Sequence, residues 1–323
     1  MNDTRRQQIQ AQLAHTLERT DLDIGTKYEG KVRDVYRIED RLLLVTTDRV
    51  SAFDVLLGTV PFKGQILNGM ALLGFRTTED IVSNHVLSSP HPNVLVARAC
   101  TPYPVEFVMR GYVTGSLWRD YQAGTHLSYE VPLPSGLRRD ERLPEPVLTP
   151  TTKARLGAHD APVSRREIIA SGTMTAEEWE EAAAVAHQLY LRGREVASKR
   201  GLILVDTKYE LGRDSEGRLT LIDEVHTPDS SRYWMAEEYE ARFAEGEPQL
   251  ALDKENLRSW LRERHGFTGE GTPPELDDDI RILLSERYMD AFHLLVGESF
   301  EPEVGPVSAS LRRAVEPFAG MKS

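Results

Sequence analysis

One pair of predicted strands constrains the fold of this sequence more than any other segment. The stretch LILVDTKYELG (202–212) begins with apolar residues, and LTLIDEV (219–225) follows it after the short polar connection RDSEGR (213–218). This pattern predicts a β-hairpin. Alternate side chains of a strand share a face, so Asp206, Lys208 and Glu210 should point the same way. The expected fold therefore contains a sheet with one face that changes from apolar to charged along a single strand.

The charged end of this hairpin has two interpretations. Such an alternation is typical of a solvated outer face. The second strand, however, also places Asp223 on the face that it shares with Leu219 and Leu221. Two carboxylates on adjacent strands can hold Mg²⁺ together with phosphate oxygens. Lys208 between them could neutralise a transferring phosphoryl group. The sequence does not determine the hairpin register, so both interpretations stay open at this point.

Three further segments carry residue types that suit anionic ligands. RGYVTGS (110–116) combines two glycines with an arginine and a serine, as phosphate-binding turns do, although a simple turn has the same composition and the P-loop ending is absent. Lys31 and Arg33 share a predicted strand face that suits a polyphosphate, although a charged edge strand has the same pattern. HTPDSSR (226–232) ends in Arg232, whose planar fork suits phosphate or carboxylate, with a surface ion pair as the alternative.

Hydrophobic periodicity and turn formers predict the other elements. Thr175 and Glu178 form a capping-box signature for a helix that Gly201 ends. The proline-rich stretch 122–162 is expected to be an ordered but irregular connection, of a length that functional loops often have. Further helices are expected over 4–19, 63–78 and two segments of 253–297, and strands over 28–38, 42–47, 93–100 and 105–110.

Composition limits the classes of function. A chain of 323 residues suggests roughly two domains. Its net charge of −12 argues against general nucleic-acid binding, because phosphate backbones need broad basic surfaces. The one cysteine, Cys100, excludes an intramolecular disulfide. Apolar runs are too short to span a membrane, and the N-terminal stretch lacks the apolar core of a signal peptide, so a cytoplasmic protein without membrane partners is expected.

Six strings, in this order along the chain, are similar to those of one enzyme family: GKVRDVY, TTDRVSAFDV, VEFVMRGYVTGSLW, TPTTKARLGAHD, LVDTKYELG and DEVHTPDSSRYW. They run from Gly30 to Trp234, nearly two thirds of the chain, and PDSSR together with RGYVTGS is highly specific. On these residues the sequence resembles the phosphoribosylaminoimidazole-succinocarboxamide synthase (SAICAR synthetase) family. The extended proline-rich middle and the long C-terminal arm resemble its longer, fungal-type branch.

The resemblance implies an ATP-dependent carbon–nitrogen ligase of purine biosynthesis. Family members join L-aspartate to carboxyaminoimidazole ribonucleotide (CAIR) and form SAICAR, ADP and phosphate, with an acyl phosphate as the expected intermediate. The implied fold is α+β, with a β-rich N-terminal lobe (1–108) that covers ATP and a larger α+β lobe (109–323) that holds the substrate and metal sites and the C-terminal helices. Its likeness to kinases and ATP-grasp ligases is an analogy only. Mg²⁺ is the implied cofactor, ATP, CAIR and aspartate are the implied partners, and a monomer is favoured over a dimer.

The resemblance also assigns roles to individual residues. For ATP these are Lys31, Arg33, Glu106 and Val108; for magnesium, Glu210 and Asp223; for the imidazole nucleotide, Arg110, Ser116, Lys208, Asp229 and Arg232; and for catalysis, Lys208, Asp54 and Asp160.

Two other functions fit parts of the pattern. A small-molecule phosphotransferase would use the same ATP and magnesium residues without needing aspartate. A non-catalytic nucleotide-binding regulator has no need of Lys208, Glu210 and Asp223 together, so their presence argues against it. The proline-rich stretch 122–162 could be a substrate-gating loop, in which Lys153 and Arg155 close as a lid over anionic substrates and exclude water. A rigid surface excursion pinned by its prolines is the alternative.

Overall fold

The structure is a computed structural model that describes residues 2–53, 55–153, 161–252 and 255–319. The described helices are α1 (Asn2–Gln12), α2 (Lys63–Thr78), α3 (Gly115–Ala123), α4 (Arg165–Ala170), α5 (Ala176–Ser198), α6 (Ala236–Glu245), α7 (Glu255–His265), α8 (Asp278–Val296) and α9 (Val307–Val315). The described strands are β1 (Thr26–Glu29), β2 (Arg33–Ile38), β3 (Arg41–Thr46), β4 (Arg49–Ala52), β5 (Val55–Thr59), β6 (Ser83–Asn84), β7 (Val86–His91), β8 (Val94–Arg98), β9 (Thr101–Tyr112), β10 (Arg142–Leu148), β11 (Thr151–Thr152), β12 (Leu202–Arg213), β13 (Leu219–Ile222) and β14 (Ser231–Met235). The fold is α+β, as predicted. None of the described helices is both long and apolar enough to cross a membrane.

The chain forms two compact units, each assembled from separate stretches of sequence. Unit 1 comprises Met1–Leu73, His85–Ala99 and Lys254–Ser323, and unit 2 comprises Gly74–Asn84 and Cys100–Asp253. The lobe boundary predicted at residue 108 differs from this division, because β9 pairs with β12 from Thr101 to Arg110 and belongs wholly to unit 2. The C-terminal helices were predicted to belong to the second lobe, but α7, α8 and α9 belong to unit 1. The functions predicted for the two lobes stay predictions.

Unit 1 is built around an antiparallel five-stranded sheet in the order β1-β2-β3-β8-β7. β2 and β3 form the predicted hairpin, and Glu39 adopts a φ of 51° in its two-residue turn. Leu43 and Val45 of β3 share one core cluster with Val307 and Leu311 of α9. The apolar residues of α9 recur every fourth position, which places them on one helix face. That helix therefore covers one face of the sheet, and the sequence analysis did not predict it.

Capping side chains determine where several helices begin. The hydroxyl of Thr175 accepts the N–H of Glu178 at 3.1 Å, and the Glu178 carboxylate accepts the N–H of Thr175 at 2.9 Å. This confirms the predicted capping box of α5. Asp277 caps α8 by accepting the N–H of Ile280 at 2.8 Å, as the acidic run predicts. The first predicted helix is shorter than expected, because α1 ends at Gln12 and a 3-10 turn follows it.

Unit 2 contains the predicted hairpin at the centre of a larger sheet, in the order β10-β9-β12-β13-β6, with β14 on β12 and β11 on β9. β12 pairs antiparallel with β9, β13 and β14. α5 packs against this sheet: Trp179 stacks on Phe107 of β9 with ring centroids 5.6 Å apart, and the Tyr190 hydroxyl donates to the carbonyl of Leu204 at 2.9 Å. The sheet is therefore held rigidly on the side that α5 covers.

The proline-rich stretch 122–162 is more regular than predicted. Its strands β10 and β11 both pair with β9, where Val147 lies opposite Arg110 and Thr151 lies opposite Glu106. Prolines are tolerated here because β10 is an outer strand, and its register shifts between Arg142 and Val147. Residues 154–160, the centre of the predicted lid, lie outside the described residues, so the lid stays a prediction.

Candidate active site

Two strands of unit 2 align the charged side chains that the sequence analysis singled out. The register of β9 and β12 gives three rungs, which we call the charged face: Arg110 with Asp206, Val108 with Lys208, and Glu106 with Glu210. The carboxylates are largely buried, with side-chain exposures of 7% for Glu106 and 11% each for Asp206 and Glu210. A solvated outer face would leave these carboxylates exposed. The interpretation of the alternating charges as a solvated face is therefore wrong.

Lys208 lies between carboxylates at the centre of the charged face. Its Nζ donates to Glu106 Oε1 at 2.6 Å and lies 3.8 Å from Glu210 Oε1. Burial lowers the pKa of Lys208, but the charges of Glu106, Glu210 and Asp223 outweigh burial and raise that pKa above the ordinary lysine value. Lys208 is therefore a fixed positive charge at neutral pH and not a general base.

Glu210 and Asp223 are close enough for their charges to interact. Burial and the charge of Asp223 raise the pKa of Glu210, while Lys153 and Lys208 oppose this shift. Glu210 lies opposite Ile222, the last residue of β13, and Asp223 follows with a φ of 68°. The strand predicted to continue to Val225 is therefore too long, because the left-handed backbone of Asp223 ends it.

This donor set suits a divalent cation that is shared with a phosphate ligand. Two neighbouring carboxylates that repel each other gain stability from a cation between them, and Mg²⁺ usually takes only one or two protein carboxylates beside substrate phosphates. In the described ranges no group of three or more His, Cys, Asp or Glu side chains is arranged to hold a metal ion. Glu210 and Asp223 therefore suit a Mg²⁺ ion that also takes oxygen ligands from a nucleotide, and not one that is held by protein ligands alone.

β11 and the residue that follows it each add one side chain beside the carboxylates of the charged face. The Thr151 hydroxyl donates to Glu106 Oε2 at 3.2 Å, and Lys153 Nζ forms an ion pair with Glu210 Oε2. The Lys153 side chain is 42% exposed, so it can exchange this partner for a ligand at little cost. The sequence analysis assigned Lys153 to the lid, and its contact with Glu210 was not foreseen.

At the other end of the charged face, one carboxylate contacts two arginines. Asp206 Oδ2 accepts a hydrogen bond from Arg110 Nη1 at 3.2 Å and lies 3.3 Å from Arg232 Nη1. Arg110 also donates to Ser116 Oγ at 3.0 Å and to Thr149 Oγ1 at 2.7 Å. Arg110 is therefore buried and held by three side chains, whereas the Arg232 side chain keeps 20% exposure. The predicted site list omitted Asp206, although alternation had placed it on this face.

The glycines of RGYVTGS serve two different close approaches. Gly115 has a φ of 58°, and a Cβ at this position would lie 2.7 Å from both terminal nitrogens of Arg232. A side chain there would displace the guanidinium group. A Cβ on Gly111 would lie 2.3 Å from the hydroxyl of Tyr190. Gly115 thus allows the close approach of Arg232, while Gly111 is required for packing against Tyr190 of α5.

The turn-rich loop after β13, which contains Asp229, is held by internal hydrogen bonds. Thr227 Oγ1 donates to Glu224 Oε2 at 2.6 Å and accepts the N–H of Asp229 at 3.3 Å. His226 Nε2 lies 2.7 Å from the Tyr209 hydroxyl. Burial lowers the pKa of His226 to about 4. His226 is therefore a neutral residue that anchors the loop and not a charged ligand group.

The depressed pKa of His226 predicts a pH dependence of stability. The unfolded chain binds a proton at this histidine below pH ~6.5 while the folded protein does not, so stability falls as pH decreases towards 4. Between pH 7 and 5 we expect wild type to lose about 2 kcal/mol of unfolding free energy relative to His226→Gln. Urea unfolding of both proteins at the two pH values measures this difference. An equal pH dependence in wild type and variant would contradict it.

The other predicted site residues are distributed over both units. Lys31 and Arg33 belong to unit 1, where Arg33 begins β2. The carbonyl of Val108, a residue expected to contact ATP, accepts the N–H of Thr149 at 2.9 Å. Glu106, also expected to contact ATP, accepts a hydrogen bond from Lys208 Nζ, and its contact with ATP stays a prediction. Asp54 and Asp160, both predicted as catalytic residues, lie outside the described residues.

Comparison with known proteins connects this arrangement to an enzyme family. The family model described as SAICAR synthetase matches residues 26–273. A phosphoribosylaminoimidazole-succinocarboxamide synthase of Legionella pneumophila (strain Paris) is 45% identical over 310 residues, covering 94% of this chain and 99% of the relative. The enzyme of that name from Bacteroides fragilis (strain ATCC 25285) is 47% identical over 294 residues, covering 89% and 93%.

Solved structures agree with these sequence matches. SAICAR synthase from Saccharomyces cerevisiae, complexed with SAICAR, superposes with a TM-score of 0.77 at 30% identity, over 89% of this chain and 100% of the yeast chain. A SAICAR synthetase in complex with ADP gives a TM-score of 0.66 at 25% identity, over 86% of this chain and 100% of its own. The chain covers nearly the full length of both the yeast enzyme and these two bacterial relatives. The longer form expected from the sequence is therefore found in both groups. The chain belongs to the SAICAR synthetase family, the ligases that join L-aspartate to CAIR at the expense of ATP in purine biosynthesis.

Proposed function

We propose that the charged face of unit 2 carries out this ligation through an acyl phosphate of the imidazole carboxylate. The observation that supports the proposal is the permanently charged Lys208 between Glu106 and Glu210, within the electrostatic reach of Asp223. An amine does not displace oxide from a free carboxylate, because oxide is a poor leaving group. Phosphorylation by ATP supplies a good one. The protein must then mainly position the reactants and neutralise charge.

Glu210 and Asp223 are the proposed magnesium ligands. Bound Mg²⁺ would offset negative charge on the phosphate oxygens during transfer. Lys31 and Arg33 are the proposed contacts of the ATP phosphates, and the strand at Glu106 and Val108 is proposed to contact the nucleotide. The relative solved with ADP supports an adenine nucleotide in this role.

Lys208 is the proposed contact of the reacting carboxylate. Its ammonium group can hold that carboxylate against the transferring phosphoryl group, and Glu106 fixes its direction. The aspartate amine then attacks the acyl carbon and forms the carbon–nitrogen bond. The bond between the acyl carbon and the phosphate oxygen breaks, phosphate leaves, and the nitrogen loses a proton to solvent. Asp54 and Asp160 keep their proposed catalytic roles.

Arg232, Ser116 and Arg110 are the proposed site of the CAIR phosphate, and Asp229 is a further proposed contact of the imidazole nucleotide. The yeast complex with SAICAR supports a nucleotide ligand in this family. Because Arg110 already donates to three side chains, we assign the direct phosphate contact chiefly to the more exposed Arg232. Asp206 would hold both arginines in place.

Arg232→Ala should therefore weaken CAIR binding more than ATP binding. Charge-assisted hydrogen bonds between arginine and phosphate contribute about 1.5–3 kcal/mol, so the KM for CAIR should rise by roughly ten- to a hundredfold. Ser116→Ala removes a neutral hydroxyl and should have a smaller effect in the same direction. Steady-state kinetics with each substrate varied in turn measure both. A selective rise in the KM for ATP would show that the two phosphate sites had been exchanged.

The nearest alternative, a phosphotransferase, is tested by product analysis. ADP release and SAICAR formation are measured with ATP and CAIR, with and without L-aspartate. The ligase should form SAICAR and release ADP in equal amounts only when aspartate is present. Rapid ADP release with a stable phosphorylated product and no need for aspartate would favour the phosphotransferase.

We also propose that the protein is cytoplasmic and monomeric. Sedimentation at micromolar concentration tests the oligomeric state.

A further inference from the structure

Unit 1 contains a buried ion pair that the proposed chemistry does not use. Arg49, the first residue of β4, has a side chain that is 3% exposed, and its Nη2 lies 2.8 Å from Oδ1 of the fully buried Asp34. Buried ion pairs are stabilising only where further hydrogen bonds satisfy both partners. The other contacts of Arg49 therefore indicate why a charge is kept here.

Within the described part of the chain, the other hydrogen bonds of the Arg49 side chain go to backbone carbonyls. Its Nη2 donates to the carbonyl of Gly30 at 2.9 Å, its Nε donates to the carbonyl of Lys31 at 3.1 Å, and its Nη1 donates to the carbonyl of Glu18. Gly30 and Lys31 begin the turn between β1 and β2, which continues to Arg33. We call residues 30–33 the phosphate loop.

Thr47 fixes the next carbonyl of the same loop. The carbonyl of Val32 accepts both the N–H of Thr47 at 3.1 Å and its hydroxyl at 2.8 Å. The carbonyl of Arg33 accepts the N–H of Gly30 at 2.8 Å. All four carbonyls of the phosphate loop therefore have partners within unit 1, and two of them depend on Arg49.

We propose that Arg49 is a positioning residue that sets the direction of the Lys31 side chain towards the phosphates of ATP. The proposal rests on the proposed function of Lys31 as a phosphate contact. Each peptide unit is planar, and the two units that flank the Cα of Lys31 carry the carbonyls of Gly30 and Lys31. By holding both carbonyls, Arg49 fixes φ and ψ of Lys31 and with them the direction of its Cα–Cβ bond.

Asp34 holds the guanidinium group of Arg49 in turn. The Asp34 carboxylate also accepts the N–H and the hydroxyl of Thr20, each at 2.7 Å, and lies 3.1 Å from Lys27 Nζ. These contacts fix the carboxylate, and the planar fork of arginine then reaches Asp34 and both carbonyls together. A lysine ammonium carries the same charge but lacks that fork.

Arg49→Lys tests the proposal, because it keeps a positive charge beside Asp34 and removes the fork. The KM for ATP and the Kd for ADP should rise about tenfold or more, since misplacement of a binding group by ~1 Å has effects of this size or larger. The inhibition constant of adenosine, which has no phosphate, and the KM values for CAIR and aspartate should not change. Equal weakening of adenosine, ADP and CAIR would indicate a general loss of packing and would overturn the proposal.

Three further variants complete the test. Arg41→Lys, an exposed arginine on neighbouring β3, is the matched control and should behave as wild type. If Lys31→Ala raises the KM for ATP while Arg49→Lys does not, the positioning role is overturned and the phosphate contact stands. If Lys31→Ala has no effect, the proposed function of the loop fails and the inference fails with it. Should Arg49→Lys not fold, Asp34→Asn must still raise the KM for ATP selectively, and an unchanged value overturns the proposal.

Discussion

Replacing Lys208 by methionine is expected to lower kcat by about 10²–10³, because it removes the fixed positive charge from the centre of the charged face. Methionine fills much of the same volume, so packing changes little. The KM for ATP should change less than kcat, since the proposed contacts of Lys208 are to the reacting carboxylate and not to the adenine nucleotide. Initial rates of ADP release and SAICAR formation measure the effect.

A second variant separates catalysis from charge balance at this position. Lys208→Met leaves Glu106 and Glu210 without their shared cation, which destabilises the fold because buried carboxylates then repel each other. Lys208→Met combined with Glu106→Gln should regain thermal stability but not turnover. Lys199→Met, at an exposed lysine that pairs with Glu195, is the matched control. Restored turnover in the double variant would show that Lys208 serves only as an ion-pair partner of Glu106 and not in catalysis.

Glu210→Gln and Asp223→Asn are each expected to lower turnover by about 10²–10³. Both substitutions keep size and remove one of the two interacting charges. Asparagine also tolerates the left-handed backbone at position 223, so Asp223→Asn tests the charge without adding strain. The concentration of Mg²⁺ needed for half-maximal rate should rise in both variants, because each loses one proposed ligand.

The matched control for this pair is Glu216→Gln. Glu216 lies in the exposed turn between β12 and β13, on the same hairpin as the two site carboxylates. The Glu216→Gln substitution should leave both kcat and the magnesium requirement unchanged. Near-normal turnover in Glu210→Gln or in Asp223→Asn would remove that residue from the metal site.

The parts of the fold that could be predicted from the sequence depend on short-range patterns. Strand alternation located β12, and a hydroxyl with a carboxylate three residues later located the start of α5. The acidic run at 277–279 located the start of α8. Each of these patterns depends on interactions between residues a few positions apart, so the local sequence is enough to predict the element.

The parts that could not be predicted depend on register and on distant partners. Alternation placed Asp206 on the charged face, but its contact with Arg110 spans 96 positions and follows from the β9–β12 register. Asp34 and Arg49 look like ordinary charged residues until the fold buries them together. The left-handed backbone of Asp223 has no sequence signature that separates it from a strand residue, which is why the strand was extended too far.

The discontinuous construction of unit 1 determines the order in which the protein can fold during synthesis. β3 leaves the ribosome early, but α9, which covers its apolar residues Leu43 and Val45, comes from the last part of the chain. At roughly 5–20 residues per second the intervening segment takes roughly ten to fifty seconds to make. Unit 2, whose segments end at Asp253, can complete its sheet first. The sheet of unit 1 lacks this cover until α9 has been made, so we expect its apolar strands to stay open to non-native contacts for longer than those of unit 2.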